Sequence, residues 1–200
     1  MSSTPVSDPI ASTRVVVITG AGNGIGRGCA RAFARAGERV VVADVDVRAA
    51  EAVAAEIGGL AVTADVADPI SVEALANRVL SQYGRVDTLV NNAALQVNKT
   101  IPDTTYDEWN RQMAVNVGGV FLCSKIFLPF LVRTGGSIVN LSSVNAYFVE
   151  PGCAGYCATK AAIIGLTKAM ALDHGKDGVR VNCICPGYID AGGAERYFEA

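Results

Sequence analysis

The sequence predicts a single-domain α/β fold in which helices cover both faces of a doubly wound parallel sheet. Six short runs rich in valine and isoleucine are continuously apolar, which is typical of strands buried on both faces. Five longer segments of helical composition separate these runs, and such alternation favours parallel pairing through right-handed crossovers. Ligands of such folds bind at the carboxyl ends of the strands, so we expect the functional residues to meet at that edge.

The elements follow one another without an internal repeat or a linker. After each apolar run the chain continues into a segment where Ala, Leu, Arg and Glu are abundant. In chain order, strands are predicted at 14–19 (RVVVIT), 39–44 (RVVVAD), 60–65 (LAVTAD), 88–93 (TLVNNA), 137–143 (SIVNLSS) and 179–186 (VRVNCICP), and helices at 25–36, 47–57, 69–83, 105–131 and 155–175. We assign residues 14–200 to one domain. Residues 1–13 are polar, have no signal-peptide pattern, and are expected to form a flexible tail.

Charge and cysteine content exclude several classes of protein. The formal net charge of −2 provides no basic field for nucleic acid or an anionic membrane. Every apolar run is expected to be too short to cross a bilayer. The six cysteines form no C-x2-C pair, which favours reduced, buried thiols over disulfides or a metal site. We therefore expect a cytoplasmic protein without a metal.

A glycine-rich turn, TGAGNGIGRG (19–28), lies between the first strand and the first helix. Glycine allows the backbone to turn tightly and approach a pyrophosphate, while the N-terminus of the following helix offers unpaired N–H groups. The G-x-G-x-x-G spacing is not met, because its third glycine would fall on Ile25, Arg27 or Cys29. No Gly-Lys-Ser/Thr follows, so the turn is not a P-loop. A tight turn without a ligand is the alternative.

Asp44 ends the second strand, 24 residues after Gly20. A carboxylate there can accept hydrogen bonds from an adenosine ribose and repel a 2′-phosphate. Neither Asn23 nor Val45 offers a cation to such a phosphate, which favours NAD over NADP, with Arg48 as the nearest exception. A helix cap or a solvated acid is the alternative for Asp44.

The segment YCATK (156–160) places Tyr156 and Lys160 on one face of a helix, but a Tyr-x-x-x-Lys motif alone arises readily by chance. Five further motifs accompany it in order: TGAGNGIG (19–26), NNAA (91–94), Asn116 in NVGG, SS (142–143) and PG (186–187). Together they resemble a short-chain dehydrogenase/reductase from about residue 14 to 190. The resemblance implies a Rossmann-type fold.

The resemblance also implies a catalytic tetrad of Asn116, Ser143, Tyr156 and Lys160. Ser143, thirteen residues before Tyr156, has the family's spacing and Ser142 does not. Tyr156 would exchange the proton, Ser143 would hydrogen-bond the reacting oxygen, and Asn116 would hold a water that links Lys160 to solvent. Lowering a phenol pKa from about 10 to about 7 takes about 4 kcal/mol, and an ammonium about 4 Å away at an effective dielectric of about 20 supplies that much.

Further positions are implied to bind the dinucleotide. These are Thr19, Gly20, Asn23, Gly24, Ile25, Gly26, Asp44, Asp65, Val66, Asn92, Ala93, Tyr156, Lys160, Pro186, Gly187 and Ile189. For Asp65 a cap of the next helix is an equal alternative. Ala94 and Ala191 depart from a usual glycine and a usual threonine.

The chain ends at Ala200, where relatives usually continue through lid helices and a seventh strand. The segment GGAERYFEA (192–200) resembles the start of that lid. We therefore expect the chain to lack the last strand and the lid helices, and interpret it as incomplete. A fold without that strand would expose a parallel sheet edge.

The resemblance implies an NAD-dependent oxidoreductase that interconverts a secondary alcohol and a ketone. Polar residues on segments expected to face the pocket, including Gln96, Asn98, Asn145 and Glu150, suggest a sugar or polyol, and a hydrophobic ketone stays open. A dinucleotide-binding regulator or scaffold without turnover is the alternative function. The family also implies a homodimer or homotetramer that pairs helices 105–131 and 155–175.

Overall fold

A six-stranded parallel sheet forms the centre of the molecule, and the computed structural model of the chain describes residues 13–190. The strands are β1 (Val15–Thr19), β2 (Arg39–Asp44), β3 (Leu60–Thr63), β4 (Thr88–Asn91), β5 (Ser137–Leu141) and β6 (Arg180–Ile184). They lie in the order β3-β2-β1-β4-β5-β6, and every neighbouring pair is parallel. The predicted doubly wound fold is confirmed. The predicted tail lies outside the described residues, except for Thr13. Ala191 and the predicted lid segment also lie outside them.

Within residues 13–190, six α-helices connect the strands. They are α1 (Gly24–Arg35), α2 (Val47–Ile57), α3 (Pro69–Tyr83), α4 (Tyr106–Met113), α5 (Gly119–Thr134) and α6 (Ala154–His174). Side chains fix several of their starts: Asp46 accepts hydrogen bonds from two N–H groups of α2, and Asp68 accepts one from α3. The α2 and α3 helices end at Gly58 and Gly84, which adopt the left-handed conformation.

The prediction of one continuous helix over 105–131 is wrong at residues 114–118. A π-helical turn, Ala114–Gly118, separates α4 from α5, and the helical region continues to Thr134. The side chain of Asn116 in this turn is fully buried and bonds to the backbone of Leu95. Wider turns of this kind often occur at functional sites, and this one turns Asn116 towards the loop that follows β4.

Two apolar layers hold the helices against the sheet. On one face, α1 and α2 contribute Ala30, Ala50 and Val53 to a cluster with Val16 and Ile18 of β1. On the other face, α3 and α5 pack a larger cluster on the sheet. Its fully buried members include Val72, Leu75, Val79, Phe127, Leu131 and Ile138. Helices on both faces leave the ends of the strands as the accessible part of the sheet.

Four strands end about two residues earlier than predicted. The residues that follow their ends are Asp65 after β3, Asn92 and Ala93 after β4, Ser142 and Ser143 after β5, and Cys185 and Pro186 after β6. The apolar runs continue past the strand ends because these turns are themselves partly buried. The error therefore falls at the carboxyl edge, where the predicted site residues lie.

The expectation that no apolar segment is long enough to cross a bilayer is wrong by length and composition. The most apolar 18-residue window of the helical stretch Tyr106–Thr134 has a mean hydropathy of 1.8, and 44% of that window is buried inside the fold. Core helices of soluble proteins meet the same criterion, so this is weak evidence for a membrane span. Phe127 and Leu131 of this stretch pack in the core.

All six cysteines lie in the described part of the chain, and all are free thiols. Burial raises the pKa of Cys123 to about 12. Within residues 13–190, no group of three or more His, Cys, Asp or Glu side chains could hold a metal ion.

Candidate active site

A cleft of about 1050 Å³ opens at the carboxyl edge of the sheet. Asp44 and Val66 line it beside the ends of β2 and β3, and Tyr156 and Lys160 line it beside β5. Most residues predicted from the sequence to bind the dinucleotide or the substrate line this cleft: Gly20, Asn23, Gly24, Ile25, Asp44, Asp65, Val66, Asn92, Ala93, Ser143, Tyr156, Lys160, Pro186, Gly187 and Ile189. Thr19, Gly26 and Asn116 do not line it.

Thr19 and Asn92 join the ends of β1 and β4, where the strand order reverses. The Thr19 hydroxyl accepts hydrogen bonds from the N–H groups of Asn92 and Ala93, each at 3.1 Å. The Asn92 amide donates back to the carbonyls of Thr19 at 3.0 Å and Gly20 at 2.8 Å. These bonds fix the turn after β1 against the loop after β4, at the position where ligands of doubly wound sheets bind.

The glycine-rich turn brings the start of α1 close to β1. Gly20 and Gly24 have φ values of 62° and 53°, which favour glycine. A Cβ at Gly26 would lie 2.1 Å from the Gly20 carbonyl oxygen, so this glycine permits the close packing of helix and turn. A Cβ at Gly24 would meet no atom within 4 Å. The surface of the turn at Gly24 is therefore open. The N–H of Gly24 itself donates to Asn23 Oδ1 at 2.8 Å, and the glycine-rich turn before a helix N-terminus fits the pyrophosphate of a dinucleotide.

Asp44 is held at the cleft by two backbone N–H groups. Its carboxylate accepts hydrogen bonds from Gly22 at 2.8 Å and from Asp46 at 3.0 Å. The alternative that Asp44 caps the following helix is wrong, because Asp46 caps α2. Arg48, the cation considered from the sequence, is not among the residues that line the cleft.

Asp65 forms an ion pair with Arg111, whose Nη2 lies 2.8 Å from Oδ2 of the aspartate. Burial alone would raise the pKa of Asp65, but the N–H of Ala67 and the Arg111 guanidinium lower it below its ordinary value. The cap alternative is wrong here too, since Asp68 caps α3. Arg111 also lines the cleft. Sequence reasoning missed Arg111, because its partner lies 46 positions away in the chain.

The two serines after β5 use their hydroxyls differently. The Ser142 hydroxyl donates to the backbone carbonyl of Lys160 at 2.7 Å and so ties α6 to the end of β5. The Ser143 Oγ accepts a hydrogen bond from the N–H of Asn145 at 3.1 Å. Because that bond uses Ser143 as an acceptor, its hydroxyl hydrogen is available to a ligand in the cleft.

Lys160 lies at the bottom of the cleft with only 3% of its surface exposed. Its Nζ donates to the carbonyl of Leu141 at 2.8 Å and lies 5.4 Å from the centroid of the Tyr156 ring. Burial lowers the pKa of Lys160 to about 8, against a smaller opposing effect of Cys183 and Cys185. The side chain is still mainly an ammonium at pH 7, and its charge faces the phenol.

Asn116 connects the cleft to α6 from behind. Its Oδ1 accepts from the N–H of Leu95 at 2.7 Å, and its Nδ2 donates to the carbonyl of Leu95 at 2.8 Å and to the Thr159 hydroxyl at 3.0 Å. Thr159 in turn donates to the carbonyl of Tyr156 at 2.7 Å. The structure thus places the Asn116 side chain in a positioning network, and its proposed contact with a water stays a prediction.

The loop that follows β4, Ala94–Lys99, includes features that the sequence did not reveal. Gln112 is buried on α4 and accepts a hydrogen bond from the N–H of Val97 at 2.7 Å. Gln112 precedes Asn116 by four residues, and this helical spacing is a signal that could have found it. No non-glycine residue between 13 and 190 has a positive φ, which meets the condition under which Ala94 can replace the usual glycine.

On the opposite side of the cleft, the Tyr188 hydroxyl donates to the Glu150 carboxylate. This contact connects the loop after β5 with the loop after β6, and both residues line the cleft. Sequence reasoning placed Glu150 at the pocket but missed Tyr188.

The fold and the cleft define a Rossmann-type protein with a candidate dinucleotide site at the switch point of its sheet. Residues 14–200 match the family described as short chain dehydrogenase, and the chain belongs to that family. The membership predicted from the six motifs is confirmed. The chain is therefore an oxidoreductase that uses a nicotinamide dinucleotide.

Three similar proteins illustrate the relationship. The chain is 46% identical over 179 residues to meso-2,3-butanediol dehydrogenase of Serratia marcescens, and the match covers 88% of this chain and 71% of that protein. It is 38% identical to sorbitol dehydrogenase of Cereibacter sphaeroides, again over 88% and 71%. The crystal structure of 3-ketoacyl-(acyl-carrier-protein) reductase from Brucella melitensis complexed with NADH has a TM-score of 0.88 and 36% identity, and the match covers 91% of this chain and 78% of that one.

Proposed function

We propose that this protein oxidises a secondary hydroxyl group of a diol or polyol to a ketone, with NAD as the cofactor. The observation that supports this most is the meeting of Ser143, Tyr156 and Lys160 in one cleft with Asp44. The names of the similar butanediol and sorbitol dehydrogenases support the substrate class. That these relatives are named as dehydrogenases argues against the alternative of a regulator without activity.

Tyr156 is the group that moves the proton. A bound oxidised nicotinamide would supply the acceptor for the hydride of the carbinol carbon. Tyr156 takes the hydroxyl proton as that hydride leaves, and the Lys160 ammonium stabilises the phenolate that receives it. The Ser143 hydroxyl donates to the substrate oxygen as charge develops there. Asn116 holds Lys160 and Tyr156 in place through Thr159 and the loop after β4.

NAD rather than NADP is proposed from the charges at the adenosine end of the cleft. The Asp44 carboxylate would face a 2′-phosphate, and the cations that line the cleft are engaged or distant. Arg111 pairs with Asp65, and Lys160 lies beside Tyr156. Thr19, Gly26 and Asn92 act indirectly by shaping the turn, while Gly20, Asn23, Gly24 and Ile25 would contact the dinucleotide itself.

The experiment is to follow NADH formation by absorbance with a panel of secondary alcohols, diols and polyols. We expect turnover of vicinal diols with NAD, and little turnover of the same diols with NADP. Asp44→Ala combined with Val45→Arg should shift the preference towards NADP, because the substitutions remove the repulsion and add a cation. Equal turnover of the wild-type protein with both cofactors would contradict the cofactor assignment. Absence of turnover across the whole panel would contradict the reaction.

We also propose a cytoplasmic homodimer or homotetramer that contacts no nucleic acid or membrane. Free thiols at all six cysteines support a reducing compartment. Exposed apolar side chains on the helices named in the predicted interface support association. Phe121 of α5 is 51% exposed and Leu172 of α6 is 84% exposed.

A further inference from the structure

We propose that Gln96 and Asn98 form a subsite for the hydroxyl group next to the reacting carbon of the substrate. This inference rests on the proposed function and adds a specificity-determining pair to it. Both residues line the cleft, and both lie on the loop Ala94–Lys99. Gln96 Nε2 donates to Asn98 Oδ1 at 2.8 Å, so the two amides form one hydrogen-bonded unit.

Cys153 places this amide pair beside the catalytic tyrosine. Its Sγ lies 3.7 Å from Gln96 Nε2 and 3.8 Å from Asn98 Oδ1, and the backbones of Lys99 and Cys153 form an isolated bridge. Cys153 precedes Tyr156 by three residues at the start of α6. Residues at this spacing on a helix have Cβ atoms roughly 5–6 Å apart. The pair is thus one side chain away from the proton-transfer group, which suits a neighbouring substrate oxygen.

The orientation of Asn98 leaves hydrogen-bonding capacity for that oxygen. Asn98 Oδ1 accepts hydrogen bonds from Gln96 Nε2 and Cys153 Sγ, so Asn98 Nδ2 points away from these two residues. No residue between 13 and 190 accepts a hydrogen bond from Asn98 Nδ2, and the side chain is exposed at the cleft. An amide N–H donates well to a hydroxyl oxygen, and this donor would lose a partner if the substrate lacked the second hydroxyl.

The charges at this end of the cleft favour a neutral substituent over an anionic one. Besides Lys160, the charged side chain that lines this end of the described cleft is Glu150. A carboxylate on the substrate would be repelled by Glu150, and the cation at this end, Lys160, faces the Tyr156 ring. A hydroxyl group can both donate and accept. The chemical class is therefore a vicinal diol or the corresponding hydroxyketone.

Gln112 acts as a positioning residue for the subsite. It is only 1% exposed, and a Cβ on Gly155 of α6 would lie 2.5 Å from its Nε2, so it is tightly enclosed. Its bond to the N–H of Val97 and the two bonds of Asn116 to Leu95 fix the loop on both sides of Gln96. The loop is thereby presented to the cleft in one conformation.

The test compares 2,3-butanediol with 2-butanol, which lacks the second hydroxyl. We expect the wild-type protein to have a higher kcat/KM for the diol. In Asn98→Leu and in Gln96→Leu the ratio of the two kcat/KM values should fall about tenfold, chiefly through the KM for the diol. Asn110→Ala, an exposed amide on α4 outside the cleft, is the matched control and should keep the ratio.

The outcomes separate the two proposals. If the wild-type protein oxidises both alcohols and the ratio does not change in Asn98→Leu and Gln96→Leu, the subsite is wrong and the proposed function stands. If it oxidises neither alcohol nor any other in the panel, the proposed function is wrong and the subsite falls with it. Thermal melting in the presence of NADH verifies that each variant is folded.

Gln112 has its own test. Gln112→Met removes the acceptor for Val97 and should raise the KM for the diol more than it lowers kcat. Gln112→Glu keeps an acceptor oxygen in the same shape, and burial favours its neutral form, so it should recover most of the diol preference. A Gln112→Met protein that is less stable but keeps the full diol preference would overturn the positioning role.

Discussion

Lys160 shows how one residue can be unfavourable for the fold and necessary for the site. Its ammonium is buried with one hydrogen bond, to Leu141, in a place where the protein interior disfavours charge. The same burial strengthens its electrostatic effect on Tyr156, because little water screens the two groups. The free protein therefore bears a destabilising charge that the proposed chemistry needs.

Replacement of Tyr156 by Phe removes only the hydroxyl group and preserves ring packing. We expect Tyr156→Phe to abolish turnover while the affinity for NAD and the melting temperature change little. Calorimetric titration with NAD and steady-state assays would measure both. Tyr106→Phe, at an exposed tyrosine on α4, is the control and should keep full activity. Substantial turnover by Tyr156→Phe would exclude Tyr156 as the proton-transfer group.

The lowered pKa of Lys160 predicts a specific dependence of stability on pH. The pKa is about 8 in the folded protein and 10.5 in its ordinary state. Between these values the unfolded chain binds more protons, so the free energy of unfolding rises with pH through this window. The full difference corresponds to roughly 3 kcal/mol. Below pH 8 both states are protonated, and the penalty is constant.

Lys160→Met isolates this effect, because the variant cannot titrate at that position. We expect the free energy of unfolding of the wild-type protein to increase relative to that of the variant as the pH rises from 7.5 to 10.5. Urea unfolding of both proteins at several pH values measures the difference. Buried thiols such as Cys123 act in the opposite direction, but equally in both proteins. Parallel pH profiles would refute the assignment.

At the scale of elements, two of the three glycines of α1, Gly26 and Gly28, have opposite roles. A Cβ at Gly26 would collide with the Gly20 carbonyl, whereas a Cβ at Gly28 would meet no atom within 4 Å. Both lie in the interior of the same helix. One glycine therefore serves the packing of the cofactor turn, and the other only lowers helix propensity.

We expect Gly28→Ala to stabilise the protein by about 0.5–1 kcal/mol, because alanine is the better helix former. Gly26→Ala should instead destabilise it and weaken NAD binding, since α1 must move away from β1. Thermal unfolding and NAD titration measure the two effects. Similar stability and affinity in both variants would show that the close approach at Gly26 is not required.

The turn after β5 gives a second matched pair. Ser143→Ala should lower kcat by roughly two to three orders of magnitude, the usual scale for losing one donor at a developing oxyanion. Ser142→Ala removes the bond to the Lys160 carbonyl and should mainly lower stability. Steady-state kinetics and urea unfolding of both variants separate these effects. If Ser142→Ala lowered kcat more than Ser143→Ala, the assignment of Ser143 as the donor to the substrate oxygen would be wrong and Ser142 would take that role.

For the whole molecule, the exposed apolar residues of α5 and α6 predict association. We expect a dimer or tetramer by sedimentation at micromolar concentration, and we expect Phe121→Glu to shift it towards the monomer. Ile70→Glu, an equally apolar but unrelated exposed site at the start of α3, should leave the state unchanged. A wild-type monomer at micromolar concentration would contradict the proposed interface.

The sequence by itself determined the fold class and the grouping of most predicted site residues at one edge of the sheet. Strands buried on both faces need continuous apolar runs, so six strands, their order along the chain and the crossovers could be predicted. The turns at strand ends contain short-range motifs, which is why Asp44, Ser143, Tyr156 and Lys160 could be predicted to lie at one edge of the sheet, and all four line one cleft.

Only the tertiary structure decided how these groups are held. The ion pair of Arg111 with Asp65 and the bond of Gln112 to Val97 depend on residues brought together by folding. The π-helical turn at Asn116 likewise follows from its contacts with Leu95 and Thr159 rather than from local propensity. Hydrogen bonds act over about 3 Å whatever the separation along the chain, and a pattern read along the sequence does not contain those distances.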